Sequence, residues 1–199
     1  MLKSILLLAS FFLGSIPCGY IVARKIKHID IRSYGSGNIG ATNVFRVVGK
    51  KWGIFVFVFD FLKGFIVPFL VYFFGHFESY FLIILGSAAI AGHNWPPFLK
   101  FKGGKGVATS LGVLVALCFS FVSLKIILLI SLAVWLIIFL LTRIVSLASI
   151  LASFSFVFFS FILSQATELK ILGVLLFLFI VIRHKKNIKM ILKGKENKF

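Results

Sequence analysis

Acidic side chains are scarce: five Asp and Glu stand against 22 Lys and Arg, a formal net charge of +17. On a soluble chain that imbalance would suggest nucleic acid, but no nucleic-acid-binding motif is present. Cytoplasmic loops of membrane proteins collect Lys and Arg in any case. Nucleic acid is therefore set aside as a partner, and phosphate-bearing substrates or anionic lipid are the natural counter-charges. Cysteine is nearly missing. Cys18 and Cys118 both lie in apolar runs, the ordinary setting of a small buried thiol, and they provide neither a disulfide framework nor a metal spacing. The four histidines are scattered, and His-Glu-x-x-His and Cys-x-x-Cys are both absent, so no metal and no cofactor are expected. There is no Gly-x-Ser-x-Gly elbow and no evident nucleophile with its own base, which argues against a covalent acyl-enzyme. Alternating apolar and polar strands are lacking too, which excludes a transmembrane barrel.

What the chain has is apolar length. Of its 199 residues 60% are hydrophobic and the mean hydropathy is +1.10, well above a soluble domain. Uncharged runs recur throughout and predict a single all-α membrane domain over residues 1–199 with seven transmembrane helices: 4–23, 53–74, 80–92, 107–123, 126–142, 144–164 and 171–182. Residues 5–13 after Lys3 have the look of a signal peptide, but the apolar character continues through 16–23 with no clear cleavage site. The first run is therefore read as a retained helix, kinked or closely packed around Gly14, Pro17 and Gly19. Short turns are expected at 75–79, Arg143 and 165–170, and a basic tail from Arg183 onward.

Seven crossings put the two ends on opposite sides. Eighteen positive charges then fall on one face: seven in 24–51, three in 93–106, Arg143, and seven in the tail. Lys3, Lys125 and Lys170 fall on the other. The bias predicts an outside N-terminus and a cytoplasmic C-terminus.

Three polar clusters share the basic face. The first is Gly35-Ser-Gly-Asn-Ile-Gly-Ala-Thr-Asn-Val-Phe-Arg46. Its Gly35-x-Gly37-x-x-Gly40, with Asp60 further on, matches a dinucleotide fingerprint, but Asp60 lies in an apolar run and no strand precedes the glycines. What survives is their chemistry. Glycine lets backbone N–H groups converge on an anion. Ser36, Asn38, Thr42 and Asn43 add neutral partners, and Arg46 adds a fork suited to phosphate. A plain helix-connecting turn accounts for a few such residues and not the whole cluster.

The second cluster, Gly92-His-Asn-Trp-Pro-Pro followed by Lys102-Gly-Gly-Lys-Gly106, lacks the bracketing of a nucleotide-hydrolase loop. Gly103, Gly104, Lys105 and Gly106 still lead into a helix whose N-terminus can face an anion, although a merely basic loop would read the same way. His93 fits a rigid interfacial turn as well as catalysis. The third cluster pairs His184 with Asn187 on one helix face; Lys189 and Glu196 follow in a tail read as solvated. Asp60 and Lys63, also three residues apart, read as a structural ion pair inside a membrane helix.

Together the three motifs, with Gly14-Ser-Ile-Pro17 and Asp60-x-x-Lys-Gly64, resemble the bacterial integral-membrane acyl-phosphate:glycerol-3-phosphate acyltransferases over essentially the whole chain. The resemblance implies a seven-helix enzyme of the bacterial cytoplasmic (inner) membrane with its site facing the cytoplasm. It implies acyl transfer from acyl phosphate to the sn-1 hydroxyl of glycerol 3-phosphate, an early step of phospholipid synthesis. Partners would be those two substrates, membrane lipid, and enzymes that form the acyl phosphate and acylate the product further. It implies Arg46 and Lys105 on the glycerol phosphate, with Ser36, His184 and Asn187 orienting its hydroxyls. Asn38, Thr42, Ser146 and the backbone of Gly103, Gly104 and Gly106 would hold phosphate groups. The other class of lipid acyltransferases carries His-x4-Asp. The residues five after His28, His76, His93 and His184 are Ser33, Phe81, Phe98 and Lys189, so that class is excluded. The lysine-rich tail departs from the arginine usual in the family and leaves Lys189 and Lys193 without assigned roles. The competing reading is a small anion transporter, against which stand the one-sided motifs and the lack of an inverted repeat. A bundle adaptor would need none of the three clusters.

Overall fold

The computed structural model describes residues 1–75, 77–163 and 166–199, and every regular element among them is helical. His76, the expected end of the sixth span at Ser164 and the start of the polar turn at Gln165 lie outside the described residues. The chain divides into two compact units, Met1–Leu117 and Cys118–Phe199.

The first unit holds α1 (Leu2–Ser15), α2 (Cys18–Lys27), α3 (Ala41–Val47), α4 (Lys50–Phe74), α5 (Ser79–Asn94) and α6 (Val107–Leu117). The expected first helix is thus two. Pro17 has no N–H to donate and stops α1 at Ser15, and α2 restarts at Cys18 and runs on to Lys27. Small residues decide the packing. A Cβ on Gly14 would meet the Ala89 carbonyl, and one on Gly92 would meet that of Phe11, so α1 and α5 lie backbone to backbone. Ser10 Oγ donates to the Leu85 carbonyl across the same seam at 2.7 Å. Gly64 against Thr109 and Gly112 against Phe61 do the same for α4 and α6.

The second unit holds α7 (Leu124–Thr142), α8 (Val145–Ile162), α9 (Thr167–Arg183) and α10 (Lys185–Leu192). Arg143, at φ 58°, makes the expected tight turn between α7 and α8. The serines of α8 hydrogen-bond within their own helix and reach α7: Trp135 Nε1 donates to Ser149 Oγ at 3.2 Å, and Ser155 meets Ser131 at 3.4 Å.

Among the described residues four stretches are long and apolar enough to cross a membrane: Leu2–Lys27, Lys50–Phe74, Leu124–Thr142 and Val145–Ile162. α5 and α9 are shorter, at 16 and 17 residues, and α6 has 11. The helix expected over 107–123 therefore stops early, at Leu117. The residues that follow, Cys118-Phe-Ser-Phe-Val-Ser123, are all weaker helix formers than the Leu and Ala before them.

Candidate active site

The first motif loop is built on an apolar underside. Ile31, Ile39, Val44 and Val48 are buried against Cys18, Val22 and Ala23 of α2 and Val56 of α4. That anchoring lets a polar segment hold one conformation. Its organiser is Asn43, 2% exposed, on the first turn of α3. Asn43 Oδ1 accepts from the Ser36 N–H at 2.9 Å, while Nδ2 donates to the carbonyls of Tyr34 at 2.9 Å and Asn38 at 2.8 Å. Gly35 and Gly37 take positive φ, 59° and 70°, and a Cβ on Gly35 would strike the Asn43 amide. Asn43, expected as one of several groups around an anion, is therefore a strut. Asn38 Oδ1 accepts from the Gly40 N–H at 2.8 Å, at the entry to α3. Ser36 and Arg46 are exposed and Thr42 is half-buried. Beside them, Arg32 binds Asp30 through Nε at 2.9 Å and Nη2 at 2.6 Å, and those bonds hold the Asp30 carboxyl down at about 2.

The second motif begins inside a helix. His93 and Asn94 belong to the last turn of α5, and both are buried. A helix ends on carbonyls that lack donors, and here the glycine loop supplies them. The Gly104 N–H donates to the His93 carbonyl at 3.0 Å, and that of Gly103 to the Asn94 carbonyl at 3.2 Å. These are two of the N–H groups expected to cradle phosphate; in the structure they close α5. The absence of Cβ atoms is required all the same. A side chain on Gly103 would enter the His93 carbonyl and Pro96, on Gly104 the His93 ring, and on Gly106 (φ 79°) the Asn94 amide. Asn94 is fully buried, and neither its amide oxygen nor its nitrogen has a protein partner among the described residues. Half-buried Lys105 immediately precedes Gly106 and α6.

Beneath this loop is a charged node. Asp60, expected as half of a structural pair, bonds Lys63 Nζ at 2.8 Å and faces His93 Nδ1 at 3.6 Å. Lys63 Nζ also donates to the Ile16 carbonyl at 3.0 Å, at the break between α1 and α2.

The third cluster lies in the second unit. His184, 2% exposed, is the joint between α9 and α10, with Nδ1 2.8 Å from the Ile180 carbonyl. Asn187, one turn on, donates to Glu196 Oε1, and Ser146 Oγ at the start of α8 donates to the same oxygen at 2.7 Å. The tail beyond Asn187 is thus not merely solvated. Glu196 returns it to the site residues, and the Phe199 N–H bonds the Arg143 carbonyl at 2.8 Å. Sequence reasoning missed Glu196. The available signal was one acid within a run of lysines, in a chain holding five acids in all.

Within each unit, then, the structure gathers the expected residues into tight clusters: Ser36 and Asn38 around Asn43, the glycines around His93 and Asn94, and Ser146 with Asn187 at Glu196. Comparison with known proteins places these clusters in context. Residues 4–194 match the family model described as glycerol-3-phosphate acyltransferase. A protein of that description from Aquifex aeolicus is 43% identical over 98% of this chain and 97% of its own length. Another from Fusobacterium nucleatum is 43% identical over 96% and 94%. The structure is similar to that of PlsY (YgiH), an integral membrane glycerol 3-phosphate acyltransferase. The glycerol 3-phosphate form gives a TM-score of 0.89 at 44% identity, covering all of this chain and 96% of that one. The lysophosphatidic acid form gives 0.85 at 43%.

Proposed function

The chain belongs to the glycerol-3-phosphate acyltransferase family, and from that membership we propose that it transfers a fatty acyl group from acyl phosphate to the sn-1 hydroxyl of glycerol 3-phosphate. The hydroxyl oxygen attacks the acyl carbonyl carbon. The bond from that carbon to the phosphate oxygen breaks, and the departing phosphate takes the hydroxyl proton. The products are 1-acylglycerol 3-phosphate and inorganic phosphate. A mixed anhydride is already activated, so positioning and charge stabilisation supply the rate gain without a protein nucleophile or a metal.

Support comes first from the second loop. Lys105 stands at the entry to α6, and its neighbour Gly106 packs on Asn94, a buried amide with no protein partner. A phosphate there would find a cation, a helix N-terminus and an amide together. Arg46 serves as the second cation for glycerol 3-phosphate. Ser36, His184 and Asn187 orient its hydroxyls, and Thr42 and Ser146 hold the acyl phosphate with Asn38 nearby. The glycines at 103, 104 and 106 act by letting the loop lie on α5. The acyl chain has an apolar groove of about 340 Å³ available between α2 and α4, lined by Ile16, Val22, Trp52, Phe55 and Phe59 among others.

In this reading residues 1–199 act as one domain with seven spans. Each cluster faces the cytoplasm from the bacterial inner membrane, the N-terminus is outside, and membrane lipid surrounds the apolar helices. An enzyme that forms acyl phosphate feeds the site, and a further acyltransferase consumes its product.

Purified protein given acyl phosphate or acyl-CoA as rival donors tests the reaction. Phosphate release and product formation from acyl phosphate alone are expected; equal use of acyl-CoA would overturn the donor assignment. Lys105→Ala removes a charge-assisted contact worth about 1.5–3 kcal/mol, so kcat/KM for glycerol 3-phosphate should fall roughly ten- to a hundredfold in steady-state assays.

A further inference from the structure

Asp60 and Lys63 are buried in α4, and a pair needed only to neutralise itself requires no third partner. This pair has two. Lys63 Nζ reaches the Ile16 carbonyl at the α1–α2 break, and Asp60 Oδ1 faces His93 Nδ1 at 3.6 Å. The opposite edge of the same ring carries Nε2, and Nε2 is the atom that a Cβ on Gly104 would strike. The imidazole therefore stands between the carboxylate and the glycine loop. The His93 carbonyl accepts the Gly104 N–H at 3.0 Å, so ring and backbone both fix the residue that precedes Lys105. At 3.6 Å the carboxylate is beyond hydrogen-bond length of Nδ1, and acts on the orientation of the ring through its charge and packing.

We propose that Asp60, held by Lys63, is a positioning residue: it orients His93, and His93 in turn sets the height and direction of the 103–106 loop and hence of Lys105. This rests on Lys105 binding glycerol 3-phosphate. Displacing a charged binding group weakens its charge-assisted contact and so costs affinity for the substrate it holds. The chain of contacts runs entirely inside the first unit, from α4 through the end of α5 to the loop.

Kinetics on two variants test it. Asp60→Asn combined with Lys63→Met removes both charges at once, so no lone charge is left buried. His93→Asn retains an amide donor toward Asp60 and loses the ring edge against Gly104, leaving the ion pair intact should the double change impair folding. Each should raise KM for glycerol 3-phosphate about tenfold, while kcat per folded enzyme stays within a few-fold. Combined with Lys105→Ala, each should add little, because the route to the loop has then lost its end point. A merely structural role would instead lower the active fraction, leave KM unchanged and multiply with Lys105→Ala; that pattern overturns the proposal. If Lys105→Ala itself leaves KM unchanged, the substrate reading fails. If Lys105→Ala raises KM and the other variants do not, only the positioning role fails.

Discussion

Replacing Asn43 by alanine removes the acceptor for the Ser36 N–H and the donor to the Tyr34 and Asn38 carbonyls. Buried groups left without partners cost about 1–3 kcal/mol, so Asn43→Ala should lower the thermal unfolding midpoint in detergent and weaken activity without touching substrate. Asp30 makes a second residue-scale prediction. Its hydrogen bonds from the Arg32 side chain favour the carboxylate and lower its pKa to about 2. Because the folded value lies below the ordinary one of about 3.9, the pair's support of the loop is complete above that value and is lost as pH falls through about 2. In Arg32→Ala the carboxyl should titrate near the ordinary value, as followed by carbon-detected NMR of labelled Asp. Residue types announced both groups in the sequence, but not their work: an asparagine expected to face an anion is the brace that holds the loop.

Element by element, apolar runs located the longer helices because their signal is long and continuous; among the described residues four stretches are long and apolar enough to cross a membrane. The exceptions are instructive. α3 and α10 are short and carry Arg46, or Lys185, Lys186 and Lys189, so each disappears inside a stretch that charge marks as loop. α3 is held by buried Asn43 and Val44 and α10 by the Asn187–Glu196 bond, tertiary contacts that periodicity over seven or eight residues cannot reveal. The end of α5 was placed too early for a related reason: His93 and Asn94 look like loop residues until the glycine N–H groups that close the helix are known. α10 yields a prediction at this scale. None of its residues is buried, and Asn187 is tied to Ser146 of α8 through Glu196. Glu196→Ala should therefore speed amide hydrogen exchange across Lys185–Leu192 while leaving α8 protected.

For the whole molecule, the charge bias makes the testable statement. In a background lacking Cys18 and Cys118, a cysteine at Lys3 should react with a membrane-impermeant thiol reagent added to intact spheroplasts. One at Lys186 should react only after permeabilisation; the reverse pattern would invert the orientation. The three candidate clusters were legible as separate motifs because glycine, asparagine and cations are conspicuous among Phe and Leu. The Ser146–Glu196 and Asp60–His93 contacts were not, since they bring together residues 50 and 33 positions apart. The spacing of Asp60 and Lys63 also bears on how the chain is made. Lone charges partition poorly into lipid, at about 2.5–3.5 kcal/mol each during insertion. Sited one turn apart, these two can cancel each other while α4 is still leaving the translocon; on different helices, one would have had to wait bare in hydrocarbon for its mate.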